Sequence, residues 1–217
     1  MIAGVSGLAL SRGVTNEEEL AQSYGPWSGI RTNHVVSQSG SFFDESGSSR
    51  GLSTPEDLKL LLALRKQADL VIVDAATARN EQYRKLSTTQ LAIVSSTGNF
   101  ESIPATSASS GVTLFSPAEP IVSGAFALEH VVIEESNPLA ALIEWASKGE
   151  LDALLLEAGP TLTRIAFDAS VVRQSAITIT PKVSLESLTP QWNPFRSKGK
   201  LVSLAESTDA SFSLWSY

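Results

Sequence analysis

Residues 151–157, LDALLLE, form a nearly continuous apolar run that ends on a carboxylate, Glu157. Such a run is how a strand buried on both faces reads. Ala158, Gly159, Pro160, Thr161 and Leu162 follow at once. A carboxylate in that position can accept hydrogen bonds from a polar ligand. A glycine and a proline behind it suit the start of a helix, whose free N–H groups and partial positive charge favour a phosphate. Two other strand-like runs stop in the same style, VVSQSG (35–40) and LVIVDAAT (70–77). In open α/β sheets ligands bind beyond the carboxyl ends of the strands, where loops and helix N-termini converge. Thr77 and Thr161 add hydroxyl donors at two of these turns. Small residues also serve any tight strand-to-helix turn, so the pattern alone fits ligand binding and plain packing equally.

The elements that must position these residues alternate. Thr15 and Glu18 make a capping box for a helix over 15–25. NHVVSQ (33–38) is a strand, and SGSFFDESGSSRG (39–51) a polar loop. Ser53-Thr54-Pro55 opens a helix over 56–67 with Leu58, Leu61, Leu62 and Leu64 toward one side. Strands are expected at 69–74 and 91–96, with a short helix or turn over 75–86 between them. The Ser/Thr/Gly/Pro-rich stretch 97–117 reads as irregular surface structure. PIVSG (120–124) and HVVIE (130–134) read as short strands. A helix over 138–149 should end on Gly149 as a left-handed C′ residue. After 151–157 come a helix over 160–170, a strand over 175–181, and a terminal antiparallel hairpin, KLVSLAES with ASFSLWSY. The class is α/β with a mixed, mainly parallel sheet. All 217 residues are read as one domain, with 1–14 loosely ordered.

Composition narrows the function. An apolar fraction of 42% with 18% charged residues belongs to a globular chain. The absence of cysteine removes disulfides, thiolate metal sites and cysteine nucleophiles, and fits a reducing, cytoplasmic compartment. His34 and His130 lack ligand-like spacing, so no metal site is expected, and no G-x-S-x-G elbow supports a serine triad. A net charge of −7 without a Lys/Arg stripe argues against nucleic acid. It does not exclude one anionic ligand, because distant charges are screened and local donors decide. No stretch has the length of a membrane span.

TNEEELAQSYGPW, IRTNHVVSQSG, LRKQADLVIVDAATARNEQYR, LAIVSS, LLLEAGPTL and ITITPK stand in the order and spacing of a known family. Over nearly the whole chain from Thr15, the sequence resembles the riboflavin-biosynthesis pyrimidine reductases, as a divergent standalone member. The most specific parts are the segments 64–77 and 157–162. The resemblance implies a dihydrofolate-reductase-like, three-layer α/β/α fold with a mixed, mainly parallel central sheet and a C-terminal antiparallel hairpin. It implies an NADPH-dependent reductase that delivers hydride to the ribosyl C1′ of 5-amino-6-(5-phosphoribosylamino)uracil. Gly159, Pro160, Thr161 and Leu162 would lie along the dinucleotide, with Thr77 and Glu81 flanking it and Val35 meeting it through backbone. Ser95 and Ser96 would reach its adenosine side. Glu157, Arg65 and Ser49 would face the substrate, and Arg65 and Arg84 are candidates for its phosphate. Relatives pair as homodimers, for which Trp27, Trp145, Trp192 and Trp215 are candidate surface residues.

Three positions depart from the family pattern. Ser39 stands where the first strand usually ends in a catalytic aspartate, and a serine hydroxyl is a poor proton donor near neutral pH. Asp74-Ala75-Ala76 replaces glycines before Thr77, placing a carboxylate beside an anionic cofactor. Gly51 stands where some members carry a large residue. These departures keep open two alternatives, a catalytically degenerate nucleotide-binding paralogue and a reductase of a related pterin or pyrimidine. The zinc deaminase domain of longer relatives needs P-C-x-x-C, which a chain without cysteine does not contain.

Overall fold

The apolar runs become strands and the amphipathic segments helices. A computed structural model describes residues 10–12, 24–45, 47–123, 128–181 and 199–217. In chain order the elements are β1 (Leu10–Arg12), β2 (Gly29–Ser37), α1 (Pro55–Gln67), β3 (Leu70–Asp74), α2 (Ala75–Asn80), β4 (Gln90–Val94), β5 (Val112–Ser116), β6 (Glu129–Val132), α3 (Pro138–Lys148), β7 (Ala153–Leu156), α4 (Pro160–Asp168), β8 (Val172–Thr180), β9 (Lys200–Glu206) and β10 (Ser211–Ser216). They fall into two compact units. One comprises residues 1–27, 31–64 and 172–217, the other 28–30 and 65–171. The α/β class and the mixed strand pairing stand as expected. The expected helix over 15–25 lies, apart from Tyr24 and Gly25, outside the described residues.

In the first unit the strand order is β1-β9-β10-β8-β2. β9 and β10 form the expected C-terminal hairpin, antiparallel from Ser211↔Glu206 to Ser216↔Lys200 with a bulge at Leu214/Trp215. β10 also pairs antiparallel with β8. Val36, Ile177, Ile179, Leu204 and Trp215 pack into one core cluster. Trp215 is fully buried, and its indole N–H donates to Ser213 Oγ at 3.0 Å, which removes the cost of burying that polar edge. Trp215 is therefore core and cannot supply a pairing surface, contrary to the expectation. Trp27 is half-buried beneath the Arg31 guanidinium, 4.0 Å from its ring centre. Trp192 lies outside the described residues. Arg31 is wholly buried and donates from Nε to Gln174 Oε1 at 2.9 Å and from Nη2 to the Tyr24 carbonyl at 3.0 Å. Burial lowers its pKa to about 10.

The second unit is a parallel sheet in the order β7-β3-β4-β5-β6. β3 and β7 are buried on both faces, as near-continuous apolar runs should be in a parallel sheet. The stretch expected to be irregular contains β5, whose five residues are all buried beside β4. Its hydroxyls disguise it: Thr113 donates to Glu129 Oε2 and Ser116 to the Ala118 carbonyl, so both polar groups are satisfied inside. PIVSG is no strand among its described residues but a single bridge, Asn99↔Ile121. No described helix is long and apolar enough to cross a membrane.

The three helices that begin within this unit share one ending. After α3, Leu151 N donates to Ala146 O and Glu150 N to Ser147 O, the two bonds of a Schellman motif. The left-handed residue is Glu150 (φ 58°), not Gly149 (φ −85°), which corrects the expected glycine cap. Gln82 after α2 (φ 52°) and Ser170 after α4 (φ 56°) repeat the arrangement. A left-handed non-glycine residue costs about 1–2 kcal/mol, part of which glycine's extra freedom in the unfolded chain would return. Glu150→Gly is accordingly expected to stabilise the protein by about 0.5–1 kcal/mol in urea unfolding. A loss of stability would contradict this account of the helix end.

Candidate functional site

At the carboxyl end of β7 the ladder continues one residue, with Glu157 N donating to Ile72 O at 2.8 Å. That bond sets the Glu157 side chain, which is 7% exposed. Its carboxylate meets Arg65, placed by the last turn of α1, where Thr89 Oγ1 also bonds the Arg65 carbonyl at 2.7 Å. Arg65 Nε donates to Glu157 Oε1 at 2.9 Å, and Nη2 donates to Oε2. This is a two-point pair of the kind a guanidinium and a carboxylate are shaped to make. Tyr83 completes it, donating from its hydroxyl to Glu157 Oε2 at 2.6 Å, with the Arg65 guanidinium carbon 5.1 Å from its ring centre. The Schellman turn at Gln82 aims Tyr83 there, through Tyr83 N bonded to Ala78 O at 2.8 Å.

The electrostatics act on Arg65 and Tyr83. Burial works against the charge on Arg65, but the attraction and hydrogen bonds of Glu157 outweigh it and raise its pKa. Burial, then the Glu157 charge, pushes the Tyr83 hydroxyl well above the usual tyrosine range. Tyr83 is thus a donor at any ordinary pH. Glu157, expected to accept hydrogen bonds from a polar substrate, already accepts from Arg65 on both oxygens and from Tyr83 on Oε2. Arg65 is likewise not a lone cation. Its Nη1 edge makes no hydrogen bond among the described residues, and its side chain is 20% exposed.

A second carboxylate is also turned inward. Asp74 caps α2, accepting from Thr77 N at 2.8 Å and from the Thr77 hydroxyl at 2.8 Å. The same side chain accepts from Gly159 N at 2.6 Å, joining the start of α2 to the start of α4. A Cβ on Gly159 would lie 3.1 Å from Thr77 Oγ1 and 3.3 Å from Asp74 Oδ2, so glycine allows this approach. Gly159 N–H is therefore not available to a phosphate, and Pro160 has none to give. The first intrahelical bond of α4 runs from Thr163 N to Gly159 O, which leaves the N–H groups of Thr161 and Leu162 before it. Of the four residues expected along a dinucleotide, Thr161 and Leu162 are those whose N–H groups this helix start leaves to be satisfied. Thr161 is exposed and Leu162 is buried at 6% exposure.

The remaining candidates are placed as follows. Glu81 is half-buried at the end of α2, and its N–H bonds Thr77 O at 2.9 Å. Ser95 is buried in its own turn, where its hydroxyl accepts from Thr97 N at 3.3 Å, so only its exposed neighbour Ser96 faces outward. Arg84 is exposed beyond α2. Val35, Ser39 and Ser49 belong to the first unit. Val35 is half-buried in β2, and Ser49 is half-buried before α1, its carbonyl accepting from Leu52 N and Ser53 N. Ser39 is exposed in the turn that Gly40 closes at φ +83°, its hydroxyl 2.8 Å from Ser37 Oγ. Gly51 has a local cause, since a Cβ there would collide with the Asp44 carboxylate. No group of His, Asp or Glu among the described residues is arranged to hold a metal. Tyr83 and the capping role of Asp74 had no local signal. Tyr83 is a lone aromatic in a polar run, and Asp74 acts on a glycine 85 positions away.

No protein-family model matches the chain, and no curated protein matches it in sequence. Solved structures do match in fold. A pyrimidine reductase-like protein of Corynebacterium diphtheriae superposes with a TM-score of 0.69 at 20% identity, over 87% of this chain and 91% of that one. The diaminohydroxyphosphoribosylaminopyrimidine deaminase/5-amino-6-(5-phosphoribosylamino)uracil reductase of Thermotoga maritima gives 0.68 at 14% identity, over 88% of this chain and 56% of that one. The riboflavin biosynthesis reductase Rib7 of Saccharomyces cerevisiae gives 0.65 at 12% identity, over 91% and 97%. The chain thus has the fold of the pyrimidine reductases and spans a little over half of the two-activity enzyme.

The Asp74 bridge makes a direct prediction. Asp74→Ala should destabilise the protein by about 2 kcal/mol, for the lost cap and the orphaned Gly159 N–H together. It should also speed hydrogen exchange at the Thr77 and Gly159 amides. A cost below about 0.5 kcal/mol, with unchanged exchange at Gly159, would contradict the bridge.

Proposed function

We propose that this protein is an NADPH-dependent reductase of the riboflavin-biosynthesis pyrimidine reductase family, a divergent standalone member acting on a phosphoribosylamino-pyrimidine. The observation that carries the reading is the donor-rich edge of the parallel sheet, on a chain that shares the fold of a pyrimidine reductase-like protein, a deaminase/reductase and a riboflavin biosynthesis reductase. There both carboxylates are turned inward, Glu157 onto Arg65 and Asp74 onto Thr77 and Gly159. What faces outward is the α4 terminus, the Arg65 edge and the exposed Ser96 and Arg84. Donors of that kind suit an anionic, polar pair of ligands despite the net charge of −7.

In this reading NADPH, when bound, supplies the hydride for the ribosyl C1′. Thr161 and Leu162 hold its phosphates, and Thr77 and Glu81 line the neighbouring turn. Ser96 takes the adenosine side. Arg84 takes the phosphate of the substrate. The protein works in the cytoplasm as a homodimer. A second reading, a nucleotide-binding paralogue without turnover, is favoured by one observation: the Ser39 hydroxyl, where relatives carry an aspartate, rests against Ser37 Oγ.

Thermal unfolding with NADPH, NADH or neither tests the cofactor first. At 100 times its dissociation constant NADPH should add about 2.7 kcal/mol of stability, and more than NADH. NADPH oxidation with the deaminated pyrimidine then separates the two readings. Turnover by the natural chain supports the enzyme, and turnover gained only in Ser39→Asp supports the paralogue. No stabilisation by either nucleotide would overturn both.

A further inference from the structure

The Asp74 carboxylate is coordinated as a bound oxyanion would be. Oδ1 accepts from Thr77 N at 2.8 Å, while Oδ2 accepts from the Thr77 hydroxyl at 2.8 Å and from Gly159 N at 2.6 Å. All of these donors are neutral, and no lysine or arginine pairs with the carboxylate among the described residues. A carboxylate or phosphate oxygen accepting from backbone N–H makes bonds that are shorter and stronger than neutral ones. The sheet fixes the approach. β3 and β7 pair through Ile72↔Leu156, which brings the turn before α4 alongside the end of β3. The fit is close, since a Cβ on Gly159 would stand 3.3 Å from Asp74 Oδ2. The backbone at Asp74 does not require this side chain. Its φ of −80° and ψ of 155° are extended and open to any residue, glycine included.

A phosphate oxygen at the start of α4 would seek the same donors. Pro160 has no N–H, so Gly159, Thr161 and Leu162 supply the backbone donors there, and Asp74 holds the first of them. The half-buried carboxylate also brings a negative charge with no cation beside it, and solvent screens a partly buried charge poorly. Asp74 thus withholds a donor and adds a repulsive charge at the same place. Resting on the reading above that this edge receives a dinucleotide, we propose that Asp74 is a built-in competitor for the cofactor's diphosphate. Its carboxylate holds the Gly159 N–H and the Thr77 hydroxyl in place of a phosphate oxygen, and so sets how tightly the edge binds the dinucleotide. Asp74 is then a specificity-determining residue that touches no reacting atom. If it served the fold alone, its removal would loosen two helix starts and weaken binding. Competition reverses that sign.

The test reads binding and needs no turnover. NADPH and inorganic pyrophosphate are titrated by calorimetry at fixed ionic strength into wild type, Asp74→Gly and Asp74→Asn. Asp74→Gly should bind both ligands about tenfold more tightly than wild type, although it is the less stable protein. Asp74→Asn keeps the size and one acceptor oxygen but removes the charge. It should gain about threefold, and it carries the test if Asp74→Gly does not fold. Hydrogen exchange supplies a second readout. Without ligand the Gly159 amide of Asp74→Gly should exchange faster than in wild type, and NADPH or pyrophosphate should restore its protection. Measurable binding of both ligands that is equal within about twofold across the three proteins, or weaker in the variants, would overturn the proposal and leave the dinucleotide reading standing. Tighter binding with no protection of Gly159 would overturn it as well. A gain toward pyrophosphate with no NADPH binding by any of the three would uphold the competition and overturn the dinucleotide reading. Binding of neither ligand by any of them would overturn both.

Discussion

The buried two-point pair of Arg65 and Glu157 is the constraint on which the functional edge depends. It joins the last turn of α1, the end of β7 and the turn after α2 at one point. Taking both charges out of water costs several kcal/mol for each ion, and their attraction returns this only when the geometry is good and the remaining lone pairs are satisfied. Both conditions hold. The pair has two points of contact, Tyr83 satisfies a further Glu157 lone pair, and Thr89 ties down the Arg65 backbone. Such a pair adds little net stability compared with apolar packing, but it fixes geometry, since a displaced partner would leave an uncompensated buried charge.

Asp74 applies the same logic at the neighbouring strand. Its carboxylate caps α2 and holds the N–H of Gly159, the residue that opens α4, so two helix starts share one acceptor. The carboxylate that looked like an obstacle to an anionic cofactor is bound to three donors. The N–H groups left over belong to Thr161 and Leu162. In both places an acidic side chain at a strand end works inward, on its own fold, and leaves donors on the outside. The local surface is thus set by hydrogen-bond donors, not by the acidic composition of the chain.

Much of the fold was legible because it rests on local pattern. β3, β4 and β7 are apolar runs, α1 and α4 open with a proline after small polar or glycine residues, and the C-terminal hairpin alternates around a polar turn. β5 was not legible, since VTLFS hides two satisfied hydroxyls that look like surface chemistry in sequence. The helix ends misled for a related reason. Glycine at 149 looks like the left-handed residue, but the register of the last turn puts Glu150 there. In the site, residue types and positions were legible at Glu157, Arg65 and Thr77, but their partnerships were not. Arg65 and Glu157 are 92 positions apart, and only the sheet order brings them together. Tyr83 depends on a left-handed Gln82 that no propensity announces.

The most direct measurement of this account is a double-mutant cycle on Arg65 and Glu157, read by urea unfolding. Arg65→Met and Glu157→Leu each leave one charge without its partner and should each cost about 3 kcal/mol. The double variant should cost clearly less than the sum, with a coupling of at least about 2 kcal/mol between the two positions. Single-variant costs that add within about 0.5 kcal/mol in the double variant would contradict the central claim that these side chains act as one buried unit.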